Sequence, residues 1–180
     1  MAKRSAKTDK KGKNELIQSL SPDDAFTVLM SLLKENPDLK EKIYQISMQV
    51  LCDIDSDEVM DDVYYALDGL DVEDLYSRSG KSRYGYVDPA DESWEMFEEA
   101  LEPSISEMKK YQGRALPDIA KKYCMGIIKG IQKFERESKS EFSDWVVDAP
   151  GESVERVIDE WKKGQPSEED IAEVSQIAGN

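Results

Sequence analysis

Carboxylates recur in pairs at helical spacing: Glu58 with Asp61, Asp71 with Asp74, and Glu95 with Glu98. Two such pairs on facing helices can hold a divalent cation for metal-assisted hydrolysis, and Glu58, Asp61, Glu95 and Glu98 are the set such an enzyme would use. With 35% of residues charged, the same spacings also arise by chance. The chain has no histidine, which removes Ser-His and Cys-His nucleophile pairs, HExxH zinc sites and ExxH di-iron sites. Of the two cysteines, Cys52 is flanked by Asp53 and Asp55, which oppose thiolate formation, and Cys124 sits in an apolar stripe beside Tyr123 and Met125. Both read as structural, reduced thiols.

Two loop motifs begin and do not finish. Asp53-Ile54-Asp55-Ser56-Asp57 opens like a calcium loop, but Glu58 stands where the turn glycine belongs and Tyr64 where the bidentate glutamate belongs. An acidic helix N-terminus is the simpler account. Gly80-Lys81-Ser82 ends like a phosphate loop, yet Leu75 occupies the first glycine position and a helix, not a strand, precedes it. The segment therefore predicts no nucleotide site, and the sequence as a whole predicts no cofactor.

Arg78-Ser79-Gly80-Lys81-Ser82-Arg83-Tyr84-Gly85-Tyr86 places three cations, two glycines and two tyrosines between acidic helices. Arg78, Lys81, Arg83, Tyr84 and Tyr86 are the candidate contacts for a partner, because arginine and tyrosine are favoured at binding surfaces and glycine permits tight backbone turns. The alternative is equally physical: the cations pair with the protein's own carboxylates and the tyrosines pack the loop down.

The elements that must position these residues read as helices. Ser21-Pro22-Asp23-Asp24 places a cap, a proline and then carboxylates at the positive end of a helix. Asn36-Pro37 and Asp88-Pro89 repeat that order, and Ser167 with Asp170 resembles a capping box. Between these signals apolar residues recur at three and four. The stripes are Ala25–Leu33, Leu39–Val50, Val59–Leu70, Phe97–Met108, Leu116–Phe134, Val154–Trp161 and Ile171–Ile177. Pro103 should kink or restart its helix. No segment alternates long enough to argue for a strand. The expectation is an all-α fold of about seven or eight helices in antiparallel pairs. They would form either an irregular armadillo/HEAT-like superhelix or a compact bundle around residues 115–135. Residues 14–180 would form one helical domain, with a possible division at residues 78–88.

Apolar residues make up 39% of the 180, and no run approaches the roughly 18 that a spanning helix needs. The basic stretch Lys3–Lys13 is followed by the short amphipathic segment Glu15–Leu20, so the N-terminus does not read as a secretory signal. These features predict a cytoplasmic protein. Residues 1–13 carry six cations against Asp9, a local +5, so the formal −15 leaves −20 on everything from Asn14 onward. A body of that sign repels nucleic acid and anionic membrane, and the basic tail reads as a solvated, disordered arm.

The stretch DVEDLYSRSGKSRYGYVDPADESWEMFEEALEP (Asp71–Pro103), together with YCMGIIKGIQKFERESKSEF (Tyr123–Phe142), resembles a helical region of uncharacterised prokaryotic proteins. Some of those also carry a SWIM-type zinc module. The module's CxC and CxH motif is absent here, so the resemblance implies a helical interaction region without zinc. The function expected is a non-catalytic adaptor or scaffold that binds another protein. The alternative is a metal-dependent hydrolase of the all-α carboxylate type.

Overall fold

In the computed structural model, which describes residues 13–51, 54–82 and 85–179, the helix signals are realised residue by residue. Helix α1 (Pro22–Glu35) opens on Ser21, whose Oγ accepts from the Asp24 amide at 3.2 Å and donates to the Asp24 carboxylate at 2.6 Å. Ser167 and Asp170 repeat this exchange at the start of α8 (Glu168–Ala178). Asp55, Asp71 and Asp88 cap α3 (Ser56–Asp68), α4 (Val72–Arg78) and α5 (Pro89–Gly113). One signal is corrected. Asn36 closes α1 instead of opening the next helix, its amide donating to the Leu32 carbonyl at 2.8 Å, and α2 (Leu39–Leu51) begins after a short turn. Its φ of −133° and ψ of 79° are those of a chain leaving a helix.

The chain divides into two compact units, one ending at Leu51 and the other beginning at Cys52. The first holds a helical turn over residues 13–18 and the pair α1 and α2. The stripes expected to be buried here are formed but not covered. From residue 13 to residue 50 no side chain is buried, and Leu29, Leu33, Leu39 and Ile43 are only half-buried.

The second unit is built around α6 (Pro117–Glu137), which packs against α3, α5, α7 (Ala149–Lys162) and α8. Its buried stripe includes Ile119, Cys124, Ile127, Ile128, Ile131 and Phe134. Helices wrapped around a central one make a bundle, whereas in a solenoid each pair meets only its neighbours. The approach of α3 to α6 is set by two glycines. A Cβ on Gly126 would lie 2.6 Å from that of Val59, and one on Gly130 would lie 2.6 Å from that of Val63. Lys129 and Lys133 then reach Asp57 and Asp61 across the same seam, both at 2.8 Å.

Two further differences bear on the site. α5 runs unbroken through Pro103, which lies on the exposed side where the carbonyl it leaves unbonded can be hydrated. Between α4 and α5 lies an antiparallel ribbon, β1 (Gly80–Ser82) with β2 (Gly85–Val87), too short for alternation to reveal it. Phe142 and Val146, in and just after a 3-10 turn (Glu141–Trp145), also enter the core. The described fold is all-α apart from that ribbon. No helix among the described residues is long and apolar enough to cross a membrane.

Candidate functional site

The cationic segment is divided by the structure. Arg78, at the end of α4, turns onto α5: its Nε lies 2.6 Å from the Glu92 carboxylate and its Nη1 2.8 Å from that of Glu99. Glu92 is buried, and its close contact with Nε is an ion pair that misses hydrogen-bond alignment. The Nη1–H bond to Glu99 raises the Arg78 pKa and lowers that of Glu99. Arg78 therefore ties α4 to α5.

Beyond it the chain enters the ribbon. Gly80 and Gly85 take φ of 89° and 138°, values that side chains disfavour, and this is the conformational need the two glycines meet. The register pairs Lys81 with Tyr86, which therefore share one face, and both are exposed. Arg83 and Tyr84 lie outside the described residues, as do Cys52, Asp53 and residues 1–12. The five candidate contacts thus separate into a pinned arginine, an exposed Lys81–Tyr86 pair, and two positions without description.

The carboxylates of the hydrolase alternative are not assembled. Among the described residues no group of three or more His, Cys, Asp or Glu is placed to hold a metal ion. Asp61 is held by Lys133 at 2.8 Å and Glu98 by Arg156 at 3.0 Å, while Glu58 and Glu95 are exposed. The Lys133 ammonium also lies 4.7 Å from the Tyr64 ring centre, which completes a structural cluster between α3 and α6. Cys124 is fully buried, and loss of solvation pushes its thiol up to about 12. At neutral pH it is a protonated, apolar side chain, as a structural cysteine should be.

The largest unassigned feature is the apolar surface of the first unit. Nine of the thirteen large apolar side chains exposed among the described residues fall between Leu16 and Val50, from 43% exposed at Leu32 to 70% at Val50. A shallow concavity of about 610 Å³ lies along α1, lined by Phe26, Met30, Leu33 and Lys34 with Thr27 and Ser31. Periodicity marked Ala25, Val28, Leu29, Leu32 and Leu33 as a stripe, which omits Phe26 and Met30, and it could not reveal that Val28 and Leu32 stay exposed. The width of the apolar arc was the available signal. At 100° per residue it extends from Val28 through Leu29 to Met30, roughly 200° around α1, more than one helix contact can bury.

No family model matches this chain, and neither a curated protein nor a solved structure does.

Proposed function

We propose that the chain is a non-catalytic helical interaction protein of the cytoplasm, an adaptor or scaffold whose principal contact surface is the apolar face of α1 and α2. The observation that carries this reading is the concentration of exposed Phe26, Val28, Met30, Leu32, Tyr44, Ile46 and Val50 in one small unit. Soluble monomers rarely leave large contiguous apolar areas open, and such areas most often mark interfaces. Two short helices with no buried residue among those described also bury too little to hold themselves together, because helical stability in proteins comes mainly from packing. The second unit supplies the counterpart, a bundle with its own core and a strongly acidic exterior. Lys121, Lys129, Lys133 and Arg156 of that unit pair with carboxylates across helix seams.

The test is to isolate the full chain and a Phe26→Glu/Leu32→Glu/Tyr44→Glu chain from native lysate at physiological salt. Composition and mass are then read by mass spectrometry and light scattering. The expected result is a stoichiometric companion, either a second copy or another protein, which the triple substitution releases. A chain that is monomeric and without a companion in both forms would refute the reading.

A further inference from the structure

α1 carries the clearest mark of what covers it. Asp23, Phe26, Met30 and Lys34 fall within an arc of roughly 80° at 100° per residue, and the last three line the concavity. An acid stands at one end of this strip, a base at the other, and two large apolar side chains lie between them. Turned end for end, the strip complements itself: Phe26 meets Met30 and Asp23 meets Lys34, about a twofold axis near Val28 and Leu29. That is the signature of an isologous contact, in which residue i meets j and j meets i.

Three further observations agree. The apolar arc of α1 is too wide for a hairpin but suits a helix of a four-helix bundle, which faces two neighbours. Within the docking strip Phe26 and Met30 are 63% and 50% exposed, the large, open apolar anchors that an interface centre needs. Charge disfavours a dimer through the second units. Residues 14–51 carry Lys34, Lys40 and Lys42 against Glu15, Asp23, Asp24, Glu35, Asp38 and Glu41, a net −3. With +5 on residues 1–13, the total of −15 leaves −17 on residues 52–180. Two copies approaching through their second units repel, whereas two first units at +2 each do so weakly.

We infer that the partner on this surface is a second copy of the chain, docked antiparallel along α1 so that the two α1–α2 pairs close a four-helix bundle. The inference rests on the reading of the first unit as a contact surface, and goes beyond it in naming the occupant and its register.

Sedimentation velocity of the full chain from about 0.1 to 100 µM tests it, with circular dichroism as the fold control. Wild type is expected to pass from monomer to dimer across that range. Phe26→Glu/Met30→Glu should weaken the dimer at least about a hundredfold, as loss of a central apolar anchor from both halves requires. The decisive arm is the charge swap. Asp23→Lys and Lys34→Asp should each weaken association several-fold, and the combined chain should regain most of the loss, although the two positions are too far apart to meet within one helix. These exposed substitutions leave the second unit's core untouched, and the circular dichroism of each variant shows whether α1 itself still forms.

A wild type that stays monomeric throughout overturns the inference, as does a dimer indifferent to the Phe26/Met30 pair, or a combined swap no better than its parts. Binding of the monomer to phosphatidylcholine/phosphatidylglycerol vesicles, lost with Phe26→Glu/Met30→Glu, would put a membrane in the place of the second copy and also overturn it. A monomer that engages a different purified protein through the same residues overturns the second copy while leaving the interaction reading intact. A monomer with no binding of any kind overturns both.

Discussion

The guanidinium of Arg78 reaches a buried carboxylate, Glu92, and an exposed one, Glu99, from the last turn of a seven-residue helix. Replacing Arg78 with Met strands Glu92 without its cation, so the second unit should lose about 1–3 kcal/mol in urea unfolding. The Arg78→Met/Glu92→Gln chain should recover part of that loss. An unchanged midpoint for Arg78→Met would return this arginine to the pool of free contacts. Cys124 gives a second residue-scale expectation. With its thiol pushed up to about 12 by burial, it should resist Ellman's reagent in the folded chain and react on denaturation, as peptide mapping would show. The burial of Cys124 was readable from its place in an apolar stripe. The fate of Arg78 was not, because sequence records that acids are plentiful and not which acid lies within reach.

Elements in the second unit are held by approach distances and lysine latches that periodicity does not encode. Gly130→Ala gains helix propensity but drives a methyl to 2.6 Å from the Val63 Cβ and 2.8 Å from the Met60 carbonyl. The expected net result is a loss of about 1–3 kcal/mol, read from the denaturation midpoint. A gain would mean that α3 and α6 can separate freely. Lys121 anchors α8, bonding Asp170 at 2.7 Å and Glu173 at 2.8 Å. Hydrogen bonding to Asp170, then to Glu173, raises the Lys121 pKa, and the bond from Lys121 lowers that of Asp170. A raised amine pKa stabilises fully below its unfolded value of about 10.4 and is lost as pH climbs through the folded value. A depressed carboxylate pKa stabilises above an unfolded value of about 3.9 and is lost as pH falls. The protection of α8 amides relative to their intrinsic exchange rate should therefore fall on both sides of that window, and Lys121→Met should flatten both arms. The caps at Ser21, Asp88 and Ser167 were legible because a cap is a local event within four residues. Asn36 misled because the same residue types also end helices, and continuity through Pro103 depended on which side of α5 faces water. The ribbon at Gly80–Val87 escaped because three residues per strand cannot show a period of two.

At the scale of the whole molecule the all-α class was legible from seven apolar stripes, since a stripe of period 3.6 has only a helix to form. The choice of a bundle around residues 117–137 required knowing which helices meet, and the exposure of the first unit's side chains is not encoded in periodicity. With Asp61 and Glu98 engaged by Lys133 and Arg156, millimolar magnesium or manganese should leave the melting temperature unchanged. A clear rise would restore the carboxylate hydrolase. The central claim is that the apolar side chains of α1 and α2 stand exposed among the described residues. Hydrogen–deuterium exchange on dilute, monomeric chain tests it most directly. The account predicts that amides of residues 22–51 exchange orders of magnitude faster than those of the buried stripe of α6, and slow when the chain associates. Protection across residues 22–51 equal to that of α6 in the monomer would contradict it.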